Sequence, residues 1–198
     1  MTDSITKEAA RRSDEKARRE QQLVRRFVAG DESAFDEIVA EQQQRVTGLA
    51  YRLLGWKADV EDVVQEVFLA VFGHLGRFRF ESSLNTWITT ITVNKCRSWR
   101  RKHLLKIKLL QYEAQKPVLA VPRADQGMVD AETSSRVRQT LSNLPGRYRE
   151  VVILHYLEGI EISKIAKVLN LTRNAVDVRL SRARAQLKAK LADLIQEK

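Results

Sequence analysis

Between Lys95 and Lys108 every charged side chain is basic: Lys95, Arg97, Arg100, Arg101, Lys102, Lys106 and Lys108. An unbroken set of cations does the chemistry of phosphate, neutralising a polyanion and releasing its counterions. Just upstream stand Phe78 and Phe80, flat surfaces on which unpaired bases can stack, while Trp87 lies in the apolar arc and reads as structural. Asn94 adds an amide that can bond a base edge. Bond-making chemistry has no such support. His74, His103 and His155 stand singly, Cys96 is the one cysteine, and no metal-ligand spacing, phosphate-cradling glycine loop or nucleophile–base pair is present. No enzymatic activity, cofactor or metal is therefore expected.

These residues need a scaffold. From the serine pair Ser82–Ser83, which suits capping, the chain runs without Gly or Pro to Lys102, which predicts a helix starting near Leu84. At about 100° per residue, Leu84, Trp87, Ile88, Ile91 and Trp99 share one arc, predicted to face a core. Thr86, Thr89, Thr90, Asn94, Arg97, Arg100 and Arg101 gather on the other side, predicted to face nucleic acid. Cys96 falls at the edge of the apolar arc and reads as a packing residue.

Composition bounds the rest. The chain has 198 residues, 43% of them hydrophobic, and a formal net charge of +10; its pI is about 9.9. That suits one large or two small packed domains with a polyanionic partner. No apolar run approaches the roughly 20 residues that span a bilayer, and the charged start lacks a signal-peptide apolar region. A single cysteine agrees with a reducing compartment, so a cytoplasmic protein without membrane insertion is expected.

The pattern is helical throughout. Residues 1–22 carry dense mixed charge with almost no large apolar residue and read as a frayed or disordered arm. A turn and cap at Gly30–Asp31 start a helix whose Phe35, Ile38, Val39, Val46, Leu49, Ala50 and Leu53 recur at three- and four-residue steps, ending near Gly55. A second helix, from Ala58 to about Leu75, turns Val60, Val63, Val64, Val67, Phe68, Val71 and Phe72 inward. Its outer face shows Asp59, Glu61, Asp62, Gln65 and Glu66, an acidic cluster on a basic protein, read either as acids favoured by the macrodipole in a first helical turn or as a docking surface for a basic helix. Periodicity breaks at Pro117, Pro122 and Gly127, which marks a linker. Helical signal returns at Ala131 and again at Tyr148, and two further segments follow, Glu161 to Leu169 and Thr172 to about Ile195.

That last pair reads as a helix-turn-helix. Asn170 can take the left-handed turn conformation, Leu171 anchors the turn, Thr172 can cap the next helix, and small Ala166 lets the two helices cross closely. The second helix offers Arg173, Asn174, Asp177, Arg179, Ser181 and Arg182 outward, side chains suited to major-groove edges and phosphates. The expected architecture is all-α: two small helical domains, an N-terminal bundle and a C-terminal helix-turn-helix, joined by a flexible linker.

Several motifs in this order resemble a bacterial alternative sigma factor of the extracytoplasmic-function (group IV) class. They are Gly30 to Phe35, Glu61 to Phe68, Phe78–Arg79 with Ser82 to Trp87, Ile91 to Asn94, Leu144–Pro145, and Glu158–Gly159 through Ile165–Ala166 to Arg184. The resemblance implies a division into an arm (1–22), a region 2 domain (23–110), a linker (111–130) and a region 4 domain (131–198). It implies that Asp59, Glu61, Asp62, Gln65 and Glu66 dock on the clamp helices of core RNA polymerase, with its flap a further contact. Phe78, Arg79, Phe80, Asn94, Lys95, Arg97, Arg100 and Arg101 would hold the melted minus-ten strand, with Phe78 and Asn94 lining a pocket for a flipped base. Arg173, Asn174, Asp177, Arg179, Ser181 and Arg182 would read the minus-thirty-five duplex. An anti-sigma factor is an implied partner. Two departures stand out: Phe80 occupies a position where such proteins commonly carry Gly, and Asp177–Val178 replaces a basic-polar pair. The alternative reading is a helix-turn-helix regulator that binds duplex DNA without polymerase.

Overall fold

The computed structural model describes residues 2–55, 60–114 and 130–192. Among these, eight α-helices and one π-helical turn form the structure, with no strand: α1 Thr2–Val28, α2 Ser33–Leu54, α3 Val60–Leu75, α4 Leu84–Ala114, α5 Asp130–Ser142, α6 Gly146–Val152, the π turn Ile153–Leu157, α7 Ile162–Leu169 and α8 Arg173–Lys190. Residues 115–129 of the expected linker (111–130) lie outside the described residues, and α4 continues four residues past the boundary expected at 110.

Helix α1 begins at Thr2, so the described part of the segment expected as a frayed or disordered arm (1–22) is helical, and beyond it α1 joins the first bundle. Leu23 and Val24 are buried in the core, and Phe27 packs edge-on to Phe72 at 5.2 Å and tilted to Phe35 at 5.9 Å. Arg26 binds α1 to the start of α2, its guanidinium donating to Asp31 Oδ2 at 2.8 Å and Glu37 Oε1 at 2.7 Å. Mixed charge concealed this because only a few residues of a long polar helix need to face inward.

In α4 the buried arc is rotated from the one expected. Leu84, Ile88, Thr89, Thr92, Val93 and Cys96 are buried, whereas Trp87, Ile91 and Trp99 are only partly covered. Threonine can take core positions because its hydroxyl is satisfied within the helix: Thr89 Oγ1 donates to the Asn85 carbonyl at 2.7 Å and Thr92 Oγ1 to that of Ile88 at 2.8 Å. So satisfied, a threonine packs much as a valine would. Burial pushes the Cys96 thiol up to about 12, which keeps it protonated and unreactive at neutral pH.

Two groups from outside the helix fix the start of α4. Ser83 Oγ accepts from the Thr86 N–H at 3.2 Å, the expected cap. Glu20 of α1, 8% exposed, accepts from the Leu84 N–H at 2.9 Å. A carboxylate here satisfies an orphan donor and meets the positive end of the helix dipole.

The two halves, α1–α4 and α5–α8, share one core. Buried residues of α2, α3 and α4 are continuous with Val151, Ile153, Leu154, Ile165, Val168, Leu169, Val176 and Leu180. Helix α4 lies against α7, and the end of α2 meets α6 and the π turn. A smaller cluster, Leu141, Leu144, Tyr148, Val152 and Ala183, holds α5, α6 and α8 together.

Candidate nucleic-acid interface

The C-terminal element forms as its sequence predicts. Asn170 closes α7 in the left-handed conformation at φ 53°. The Leu171 N–H reaches back to the Ala166 carbonyl at 2.8 Å. Thr172 Oγ1 then accepts from the Ala175 N–H at 3.2 Å and starts α8. With Val176, Leu180 and Ala183 buried, the helix is locked in rotation. Arg173, Asn174, Asp177, Ser181 and Arg182 are exposed, and Arg179, at the flank of the buried stripe, is half-exposed. Arg182 also sits beside the Tyr148 hydroxyl and holds that phenol below its ordinary range, with Arg147 stacked over the ring at 4.9 Å.

The acidic face of α3 is open. Glu61, Asp62, Gln65 and Glu66 are all exposed, while Val60, Val63, Val64 and Val67 turn inward. Asp59 lies outside the described residues. Glu66 accepts from Lys95 Nζ at 3.3 Å, which places the end of this acidic face next to α4.

The loop before α4 presents a ladder of rings. Phe78 lies between Phe80, 4.8 Å away, and Trp87, 5.1 Å away. Phe80 is exposed and has a left-handed backbone at φ 56°, a conformation that costs an L-residue with a Cβ roughly 1–2 kcal/mol. Its position is the one where glycine was the expected alternative. The backbone geometry there suits glycine, and this chain carries a ring instead. Trp87 continues the ladder into a groove of about 460 Å³ between α3 and α4, shared with Glu66, Ile91, Asn94, Lys95 and Ser98.

Not every expected contact residue is free. Arg79, Asn94 and Arg101 are exposed, and Lys95 is half-exposed. Arg97 and Arg100, expected on the nucleic-acid side, instead turn toward the C-terminal half. Arg97 donates from Nε at 3.2 Å and from Nη2 at 2.7 Å to Glu150, whose side chain is only 4% exposed. Arg100 makes a second short ion pair with the same carboxylate. The reason is rotational: once Thr92, Val93 and Cys96 face the core, Arg97 and Arg100 extend that arc toward α6.

A second set of cross-half contacts lies nearby. Glu158, its side chain 6% exposed, pairs closely with Arg52 and lies 3.8 Å from Arg45. Arg149 donates to the carbonyls of Leu141, at 3.1 Å, and Leu144, at 3.0 Å, and also to that of Ser142. It reaches across to the Leu53 carbonyl at 3.3 Å as well. It thus serves orphan acceptors at the ends of two helices. Burial, together with the neighbouring Arg100 charge, pushes Arg149 down to about 10. The roles of Glu20, Arg45, Arg52, Arg149, Glu150 and Glu158 are invisible in the sequence, because each finds a partner far along the chain.

Two family descriptions match this sequence: Sigma-70 region 2 over residues 38–104 and Sigma-70 region 4 over residues 134–187. The ECF RNA polymerase sigma-E factor of Haemophilus influenzae is 30% identical over 89% of this chain and 97% of its own length. The ECF RNA polymerase sigma factor SigW of Bacillus subtilis is 26% identical over 86% of this chain and 96% of its own. Among solved structures, CnrH in complex with the cytosolic domain of CnrY superposes with a TM-score of 0.64 at 29% identity, covering 88% of this chain and 98% of that one. The all-α architecture, the helix-turn-helix and these matches agree, and the chain belongs to the extracytoplasmic-function RNA polymerase sigma factors, which direct promoter-specific transcription initiation.

Proposed function

We propose that this sigma factor divides its task among three surfaces. The exposed face of α3, with Glu61, Asp62, Gln65 and Glu66 and with Asp59 just ahead of it, docks on the clamp helices of core polymerase, and the flap is a further contact. The ring ladder of Phe78 and Phe80, with Arg79, Asn94, Lys95, Arg97, Arg100 and Arg101, captures the unpaired minus-ten strand. Helix α8 reads the minus-thirty-five duplex with Arg173, Asn174, Asp177, Arg179, Ser181 and Arg182. The chain itself does no bond chemistry; it lends specificity to the polymerase, and it acts in the cytoplasm.

The supporting observation is the groove of about 460 Å³ where Trp87, Asn94 and Lys95 meet the end of the ring ladder. Rings stack on any base face, an amide bonds one base edge selectively, and an ammonium holds the adjoining phosphate. An extruded base is held by the first two, and the third fixes its backbone. On α8, Asp177 among arginines can accept from a cytosine amino group.

Run-off transcription with purified core polymerase over a genomic template library tests the reading. The chain should confer initiation at a restricted set of start sites; a chain that binds duplex DNA but never alters core activity would support the independent regulator instead. Reversing charge at Asp62 and Glu66 should abolish association with core while the circular dichroism spectrum is retained. Asn94→Ala should weaken capture of the cognate single strand selectively, and equal loss on all sequences would reduce Asn94 to a phosphate contact.

An anti-sigma factor is the expected regulator. The RpoE protein of Bartonella quintana, in complex with the anti-sigma factor NepR, superposes with a TM-score of 0.64 at 23% identity over 80% of this chain, which supports the fold alone. A pull-down with the exposed α3 face charge-reversed would show whether such a partner competes for the polymerase-docking surface.

A further inference from the structure

A cavity of about 810 Å³ lies where the middle of α4, the end of α2 and the turn between α5 and α6 meet. It shares only Asn94 and Ser98 with the groove between α3 and α4. Among the described residues its wall carries four guanidinium groups, those of Arg97, Arg100, Arg101 and Arg149, and no carboxylate. Arg97 and Arg100 share Glu150, which lies behind the wall. Arg149 donates to the carbonyl oxygens of Leu53, Leu141, Ser142 and Leu144, none of which carries a charge. Arg101, exposed, donates to the Ser98 hydroxyl at 3.2 Å. Positive charge is therefore in excess. Burial first, and then the Arg100 charge, push Arg149 down to about 10, as such an excess requires.

Two glycines admit these arginines. A Cβ on Gly55 would lie 2.9 Å from Arg149 Nη1, and one on Gly146 would overlap the Arg100 guanidinium. The cavity also has a flat wall, where Trp99 and His103 stack with ring centroids 4.6 Å apart and planes 10° apart. Both rings are only partly covered, and the Asn94 and Asn143 amides stand at the same cavity.

The geometry points to a binding site for a free nucleoside polyphosphate, its phosphate chain on Arg149, Arg101 and the Arg97–Arg100 pair and its base extending the Trp99–His103 stack. Cavities that bury most of a small molecule hold roughly 300–1,000 Å³, so a bare phosphate would leave most of this one empty. An uncharged ring would leave the guanidinium groups unanswered, although their forked donors match phosphate oxygens. A nucleic-acid strand brings a single phosphate for each base, whereas here several cations converge beside one ring stack. The site needs neither polymerase nor promoter, so its test is separate from that of the promoter reading.

Isothermal titration calorimetry of the full chain with magnesium-free ATP, at physiological ionic strength, should show saturable binding of a single nucleotide per chain. AMP keeps the ring but has one phosphate, and inorganic pyrophosphate keeps the charge but has no ring; each should bind about tenfold or more weakly than ATP. Asn143→Asp sets an anion beside the cations and should weaken ATP and pyrophosphate alike by about tenfold. His103→Ala should weaken ATP and leave pyrophosphate unchanged. Gln43→Glu makes the same charge change as Asn143→Asp on an exposed residue of α2 and should alter neither ligand. None of these three positions is buried, so the variants should keep the wild-type circular dichroism spectrum. The absence of saturable ATP binding would overturn the site, as would AMP or pyrophosphate binding as tightly as ATP. A loss in Asn143→Asp matched by Gln43→Glu, or unchanged ATP affinity in His103→Ala, would overturn it too.

Discussion

Helices α4 and α8 are both basic and both expected to touch DNA, yet the structure treats them differently. Helix α8 buries one stripe, Val176, Leu180 and Ala183, and leaves Arg173 and Arg182 outside. Helix α4 is enclosed on more than one side: α2, α3 and α7 pack against it, and Glu150 of α6 takes Arg97 and Arg100. A helix that reads duplex needs only a rigid base and a free face. On α4, by contrast, Arg97 and Arg100 are already held by the buried carboxylate of Glu150.

The sharpest test of that contrast is alkaline. Below pH 9 the Cys96 thiol of α4 is protonated whether the chain is folded or not, and its contribution to stability is complete. As pH rises from 9 toward the folded value of about 12, only the unfolded chain ionises, so stability falls. The thiol's own share of that loss should reach ~4 kcal/mol, at about 1.36 kcal/mol for each tenfold difference in proton affinity, read as the wild-type minus Cys96→Ala difference in unfolding free energy, because Arg149, pushed down to about 10, titrates in the opposite sense over the same window. A difference that does not change with pH would mean the thiol is not enclosed.

The caps offer a smaller comparison. Glu20→Ala removes a buried carboxylate from the start of α4 and should cost about 2 kcal/mol, whereas Thr172→Ala at the start of α8 should cost about 1 kcal/mol. Denaturant unfolding of the two variants measures both, and a reversed order would place α1 outside the working core. Smallest in stability is Arg173→Ala, expected within about 0.5 kcal/mol of wild type. It should nevertheless weaken duplex binding and lower the salt slope by about one. If Arg173→Ala left the salt dependence unchanged, α8 would not be gripping phosphate there.

How much was legible follows the range of each interaction. The helix-turn-helix was readable because its determinants, Ala166, Asn170, Leu171 and Thr172, act on residues within a turn or two. The cap at Ser83 was readable for the same reason. The rotation of α4 was not, since a period-based arc treats threonine as polar, and only the bonds from Thr89 and Thr92 to their own helix carbonyls reveal them as core residues. The pairing of Arg97 with Glu150 was beyond reach, because nothing near either residue marks the other. Phe80 lies between these cases: the resemblance marked its position as one that commonly holds Gly, but only the structure shows the left-handed φ there.

Arg149 binds the carbonyls that end α5 and one that ends α2, so a single side chain clasps the finish of one segment to another encoded nearly a hundred residues later. Together with the shared apolar interior, this ties the two halves by contacts that do not run through the backbone. Expressed as two separate polypeptides, the halves should elute as one species at high concentration and come apart on dilution.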